Sequence, residues 1–287
     1  MNILITGGGG QLSNALSLSC PKNINIHSFS KKNLDITNQS MLYKIIKKIK
    51  PHAIINTAAY TKVDLAETNF EEANKVNSIG PKYLSLISKE FNCFLIHIST
   101  DYVFDGKKGS LYTETDITNP ISVYGKTKLM GEREIIKELD KYIIFRVSGL
   151  YGPEGNNFVF KILKFLKELN SIKVVNDQYS RPTSTLDFSK VIWNVIKNNR
   201  NKKYKTGIYN YSDGGDVVSR YEIAKYIANN IKDINFSLKK IEPISSLKMN
   251  FPAKRPNNSG LSLKKTIKDF NIKETNWKDS VLRVIKT

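Results

Sequence analysis

The chain opens on Met1-Asn2-Ile3-Leu4-Ile5-Thr6, an apolar run that breaks into four consecutive glycines, Gly7 to Gly10. Gln11-Leu12-Ser13 follow, and Ala15-Leu16 then recur at helical spacing. A short apolar run closed by glycines reads as a buried strand. Strand, glycine-rich turn and helix in immediate succession let the backbone turn sharply. They also place the helix N-terminus where the charge of a pyrophosphate is favoured. Gly7, Gly10, Gln11 and Leu12 are therefore candidate contacts to a dinucleotide.

The same alternation continues along the chain. Ile24–Phe29, Ile54–Ala59, Phe94–Ser99 and Tyr142–Arg146 read as further strands, with a helical stretch near 70–90 between two of them. Strands separated by helices imply an α/β fold, a parallel sheet covered on both faces. Ligands of such sheets bind beyond the carboxyl ends of the strands. Gly7–Gly10, Ala58–Tyr60 and Ser99–Tyr102 all fall at such ends, so Ala58, Ala59 and Tyr60 join the candidate cofactor contacts.

Tyr124 and Lys128, in Tyr124-Gly125-Lys126-Thr127-Lys128, are four residues apart and share one face of a helix. A free tyrosine, with a pKa of about 10, is a poor acid–base catalyst at neutral pH. A neighbouring cation would favour the phenolate and suit the pair to proton transfer. Thr100, at the end of a strand, would set a hydroxyl beside the reacting oxygen. Taken alone, Y-x-x-x-K also describes a solvated helix face, and its weight comes from the upstream strand ends.

Taken together, these motifs resemble the dTDP-4-dehydrorhamnose reductases of the extended short-chain dehydrogenase/reductase superfamily. The resemblance runs through Gly7-x-x-Gly10-Gln11-Leu12, Leu34-Asp35-Ile36-Thr37, Ile55-Asn56-Thr57-Ala58-Ala59-Tyr60, His97-Ile98-Ser99-Thr100-Asp101-Tyr102-Val103-Phe104 and Tyr124-Gly125-Lys126-Thr127-Lys128. It continues in Gly155-Asn156-Asn157-Phe158, Val175-Asn176-Asp177-Gln178-Tyr179 and Arg255-Pro256-x-Asn258-Ser259. It implies a Rossmann-like, doubly wound parallel sheet with a smaller C-terminal substrate-binding domain. Residues 1–150 would form the cofactor domain and 151–287 mainly the substrate domain, with later segments returning to the first. It also implies reduction of the C4 keto group of a nucleotide-linked deoxysugar, a nucleotide-diphosphate sugar being the partner. Tyr124 would donate the proton, Lys128 would lower the tyrosine pKa and bind the nicotinamide ribose, and Thr100 would hold the carbonyl oxygen. Thr100, Asp101, Tyr102, Gly149, Asn157, Gln178 and Arg255 are the substrate contacts the resemblance implies.

Four positions depart from the family pattern. Ser13 replaces a third glycine, Gly149 a tryptophan, Gly260 an arginine and Arg220 an aromatic residue. Two of these lie where the substrate pocket is expected, which leaves the sugar open. The positions matching a metal site of some relatives are Ala15 and Leu186, so no metal is expected. After the second strand the chain reads Ser30-Lys31-Lys32 with no carboxylate, which favours NADPH over NADH through the 2′-phosphate, NADH staying an alternative. Asp35 and Ile36 are assigned to the adenine.

Composition excludes several other classes. The apolar runs are too short to span a membrane. Met1 leads straight into the first strand, leaving no room for a signal peptide, and Cys20 and Cys93 lack metal-ligand spacing. A cytoplasmic enzyme with free thiols is expected, and a homodimer is compatible with the family. The formal charge of +19 comes from dispersed lysines. It reads as attraction for an anionic nucleotide rather than nucleic-acid binding. A nucleotide-sugar epimerase of the same superfamily and a non-catalytic dinucleotide-binding regulatory subunit stay open as alternatives.

Overall fold

In the computed structural model, which describes residues 1–199, 205–231 and 237–286, the opening run forms β1 (Asn2–Thr6), with Ile3, Leu4 and Ile5 fully buried. The chain then alternates through α1 (Gln11–Leu18), β2 (Asn25–Phe29), α2 (Gln39–Ile49) and β3 (Ala53–Asn56). Two short helices, α3 (Val63–Ala66) and α4 (Phe70–Asn74), lead through a π-helical turn at Lys75–Ile79 into α5 (Gly80–Glu90). Next come β4 (Phe94–Thr100), α6 (Val123–Glu138) and β5 (Tyr142–Val147). The sheet is completed from far downstream by β10 (Gly207–Tyr211), after β6 (Leu150–Tyr151), α7 (Phe158–Glu168), β7 (Ser171–Val175), β8 (Tyr179–Ser180), β9 (Thr183–Ser184) and α8 (Thr185–Asn198). The remaining elements are β11 (Val218–Ser219), α9 (Arg220–Asn230), β12 (Lys240–Ile244), α10 (Lys264–Phe270) and α11 (Trp277–Lys286).

The six strands stand in the order β10-β5-β4-β3-β1-β2, all parallel. From β1 the chain steps to β2 on one side and then crosses to β3 on the other. That reversal opens a crevice at the carboxyl ends of β1 and β3, the usual ligand position in such sheets. Gly7, with φ +74°, makes the turn there, and a Cβ on it would sit 2.7 Å from the Ala58 backbone nitrogen. The strand read as Ile54–Ala59 stops at Asn56. The Asn56 side chain accepts from the Ala58 N–H at 3.2 Å and turns the chain out of the sheet.

Both sheet faces are covered by apolar cores, one including Leu16 of α1, Ile192 of α8 and Phe270 of α10, the other Leu42 of α2, Leu84 of α5 and Ile135 of α6. A third core gathers Val159 and Ile162 of α7, Ile223 and Ile227 of α9, and Trp277 and Val281 of α11 around the parallel pair β7–β12. The short pairs β6–β9 and β8–β11 lie between that layer and the sheet in sequence.

Helix α6 is held on the sheet largely by polar contacts. Glu132, 1% exposed, is clasped by Arg146 of β5, with Nη2 to Oε2 at 2.7 Å and Nε to Oε1 at 3.1 Å. Ser99 of β4 donates to the same carboxylate, and the Arg146 guanidinium lies 5.2 Å from the Phe104 ring centroid. Removing one partner of such a pair leaves an uncompensated buried charge. Arg146→Leu is therefore expected to cost about 3–5 kcal/mol. Urea unfolding of wild type and variant measures it, and a loss within experimental error would contradict this account of α6.

Candidate active site

Two connected cavities open at the carboxyl ends of the strands. The first, about 740 Å³, is lined by Gly7–Leu12, Lys31, Leu34–Ile36 and Thr57–Lys62 among others. The second, about 560 Å³, is lined by Thr100–Tyr102, Tyr124, Lys128, Gly149–Tyr151, Gln178, Arg220 and Arg255 among others. Gln11, Ala59, Ile98 and Leu150 line both, so a long ligand in the first reaches the second.

The first cavity suits a dinucleotide. Gly10 is the N-cap of α1 and supplies no side-chain capping bond, which leaves the first N–H groups of the helix to face a ligand. Ser13, the departure from glycine, is 1% exposed, and its hydroxyl donates to the Gly10 carbonyl at 2.8 Å. A small hydroxyl is accommodated there because it satisfies a turn carbonyl. Ala58, Ala59 and Tyr60 lie across from the glycines. The Tyr60 backbone is pinned twice by Asn77, at 2.8 and 3.1 Å, from the π-helical turn. Lys31 lines the cavity and faces Glu72 at 3.4 Å, both side chains largely exposed. Ser30 is not on the lining, although its backbone nitrogen abuts Gly8. Ile36 is buried at the cavity wall. Burial pushes the Asp35 carboxyl up, but two hydrogen bonds from Thr37, with Lys31 and Lys75 nearby, bring it below its ordinary value. That carboxylate is committed to its own turn.

In the second cavity Ser122 caps α6, accepting from Gly125 N at 3.2 Å, and the first turn of the helix presents Tyr124. Burial pushes the Tyr124 phenol well above its ordinary range, and a hydrogen bond with Thr100 opposes that shift. The expectation that Lys128 acts directly on the phenol is not what the side chains show. Lys128 Nζ donates to the Ile98 carbonyl at 2.6 Å and lies 3.4 Å from His97 Nε2. Burial lowers Lys128 to about 8. The physical reason is geometric: at 1% exposure the amine satisfies itself against the β4 backbone.

All seven residues assigned to the substrate line this cavity. Several are tied down by neighbours. Asn157 caps α7, accepting from Phe160 N at 3.1 Å, and donates to Gln11 at 2.9 Å, bridging the two cavities. Arg255 pairs with Asp64 at 2.7 Å and stacks 4.1 Å from the Phe251 centroid. Asp101 accepts from Ser259 at 2.5 Å and from Thr100 at 3.1 Å. Gly149 has φ +53°, and a Cβ there would meet only Pro182 Cα at 3.6 Å. The site has room, but its left-handed backbone disfavours any larger residue. At Gly260 a Cβ would come within 2.9 and 3.0 Å of methyl groups of Val217 and Leu111, which would have to shift to admit a side chain. Sequence reasoning left Asp64, Ile98 and Ser259 out of the site, and named Arg220 only as a departure from the family pattern. Ser259 lay inside a quoted motif and Asp64 outside them, and only their cross-chain partners, Asp101 and Arg255, reveal them. Arg220 lines the cavity with its guanidinium 5.7 Å from the Phe158 centroid.

The model of the family described as the RmlD substrate binding domain matches residues 1–287. The chain belongs to this family. It is 37% identical to the dTDP-4-dehydrorhamnose reductase of Aggregatibacter actinomycetemcomitans over 98% of this chain and 97% of that protein. It is 34% identical to that of Sinorhizobium fredii over 99% and 97%. Among solved structures, the Bacillus anthracis dTDP-4-dehydrorhamnose reductase in complex with NADP superposes with a TM-score of 0.92 at 35% identity, covering 100% of this chain and 99% of that one. The Bordetella bronchiseptica enzyme WbmG, at 17% identity and a TM-score of 0.81, shares the fold.

Burial raises Asp101 to about 6 from an ordinary 3.8. The folded protein thus keeps a proton that the unfolded chain loses. The stability from this proton is complete below about pH 4 and disappears as pH rises past about 6, a change on the order of 3 kcal/mol. Urea unfolding at pH 4.5 and pH 7.5 should show Asp101→Asn gaining on wild type at the higher pH. A difference between the two proteins that does not change with pH would contradict the assignment.

Proposed function

We propose that this chain uses NADPH to reduce the C4 keto group of a nucleotide-linked deoxysugar, with dTDP-4-dehydro-L-rhamnose as the leading substrate. The observation that carries this is the continuity of the two cavities: the glycine-turn cradle leads directly to a wall formed by Thr100, Tyr124 and Lys128. Names of close relatives and the NADP complex of a full-length structural neighbour agree with it.

A bound nicotinamide would supply the hydride. Gly7–Leu12 and the open N-terminus of α1 would hold its pyrophosphate, Ile36 and Asp35 would flank the adenine, and Lys31 would meet the 2′-phosphate. The chain's own residues account for the rest. Thr100 and Tyr124 converge where a carbonyl oxygen would sit. There the threonine orients it and the phenol gives a proton as charge develops on that oxygen. A phenol held protonated by burial is matched to donation. Lys128 would reach the nicotinamide ribose from beside Tyr124. Arg255 and Arg220 set two cations around a cavity meant for a diphosphate. Gly149 removes an aromatic wall from the sugar side, so this pocket is expected to accept a bulkier ring substituent than its relatives do.

Two measurements test this reading. Tyr124→Phe should bind NADPH as wild type does while turnover of the nucleotide-ketosugar falls about 10²–10⁴-fold. Turnover at the wild-type rate would remove Tyr124 from the mechanism. Wild type should also bind NADPH about tenfold or more tightly than NADH, from one charge-assisted contact, and Lys31→Ala should narrow that gap. Equal affinities of wild type for the two cofactors, by fluorescence titration, would refute the preference.

A further inference from the structure

Four buried side chains beneath the site form one chain of contacts from the glycine turn to α6. Thr6 Oγ1 donates to Asn56 Oδ1 at 2.6 Å, Asn56 Nδ2 lies 2.9 Å from His97 Nδ1, and His97 Nε2 lies 3.4 Å from Lys128 Nζ. None of the four is more than 1% exposed. The chain crosses β1, β3 and β4, so it joins the turn of the first cavity to the lysine of the second.

The direction of each bond follows from one group that cannot change role. The Ala58 backbone N–H only donates, and it reaches Asn56 Oδ1 at 3.2 Å. The carboxamide oxygen therefore faces Ala58 and Thr6, and the NH₂ faces the imidazole. An amide NH₂ offers no lone pair, so His97 Nδ1 must accept. A neutral imidazole that accepts at Nδ1 carries its hydrogen on Nε2. That hydrogen points at Lys128 Nζ, and only the free amine has a lone pair to receive it. The same amine donates to the Ile98 carbonyl and keeps one N–H for the cavity it lines.

We propose that His97 is a positioning residue of this site: held as the Nε2–H tautomer by Asn56, it donates to the free amine of Lys128 and so biases that side chain toward the neutral form until ligands bind. This rests on the reading that Lys128 serves the reduction.

The surrounding charges fit. Burial alone holds the His97 ring well below its ordinary titration range, and a proton on Lys128 would push it the same way, so the imidazole stays neutral in either form of the lysine. On α6 itself, Glu132 favours the ammonium, but its carboxylate is clasped by Arg146 of β5 and Ser99 of β4. Tyr124 on α6 and Asp101 from the turn after β4 line the same cavity. Of the charges on helices α4 and α5, Glu72 faces Lys31 at the surface and Lys82 faces Glu134. A bond received by the free amine favours the neutral form, so removing it raises the pH at which Lys128 loses its proton.

The chain has three histidines, which makes a direct reading feasible. Uniform ¹⁵N labelling of the cofactor-free protein, followed by long-range ¹H–¹⁵N correlation from pH 6 to 9, should show His97 neutral with its proton on Nε2 throughout. In His97→Gln a carboxamide oxygen takes the place of Nε2 and accepts from an ammonium instead. The Lys128 ¹⁵Nζ titration, assigned by its absence in Lys128→Met, should then move up by about one pH unit, a tenfold change in the amine-to-ammonium ratio. The pH profile of kcat/KM should move with it. An Nδ1–H tautomer or an imidazolium at pH 7 in wild type overturns the proposal, and that spectrum needs no variant to fold. An unmoved Lys128 titration in folded His97→Gln also overturns it. An Nε2–H tautomer together with wild-type turnover in Lys128→Met overturns the role of Lys128, and the positioning role with it. An Nδ1–H tautomer with an inactive Lys128→Met overturns the role of His97 alone.

Discussion

The buried carboxylate of Glu132 decides where the helix bearing Tyr124 and Lys128 can sit. Many of the buried positions of α6 are small or polar, Gly125, Thr127, Lys128, Gly131 and Glu132, with Leu129 and Ile135 supplying the apolar contact. Apolar packing is non-directional, and so short a stripe would tolerate sliding. A carboxylate held by a two-point guanidinium contact and a serine hydroxyl does not slide, because every displacement strands a charge out of water. Asn77 adds a second fixed point, donating to Thr127 at 3.2 Å while it pins the Tyr60 backbone. The helix, the β3 loop and the ends of β4 and β5 thereby share one frame.

That frame explains the electrostatic character of the site. Tyr124, Lys128 and Asp101 are all displaced toward their neutral forms, and burial is the leading cause in each case. For Lys128 and Asp101 this shift toward the neutral form brings titration nearer to neutral pH, where proton exchange is favoured. The permanent charges stand further out, on Arg255, Arg220 and Lys31, where a diphosphate or a phosphate would be met. The division follows the chemistry required: anion binding at the rim and proton movement inside.

Interactions distant in sequence close the site. Gln11 and Asn157 are 146 residues apart, Asp101 and Ser259 158, and Asp64 and Arg255 191. Each joins a loop at the carboxyl end of the sheet to the later part of the chain. The path of the backbone makes this feasible, since β10 returns to the sheet beside β5 after α7 has contributed to the opposite wall.

The sequence by itself determined the elements and their order. Apolar runs near 94–99 and 142–146 became β4 and β5, because a strand buried on both faces leaves a continuous apolar signature, and the run near 24–29 became the partly exposed edge strand β2. The glycine turn was legible for a similar reason, since few other residues can take a left-handed φ at Gly7 while the Ala58 backbone presses against it. The helical spacing of Tyr124 and Lys128 was legible too, but it said nothing of which way the amine would turn. Only the tertiary structure decided that Lys128 is spent on Ile98 and His97, that Asp35 is spent on Thr37, and that Gly149 lies in a left-handed conformation beside open space. Periodicity reports which face of an element is buried. It carries no information about which donor, from another strand dozens of residues away, satisfies a polar group once water is gone.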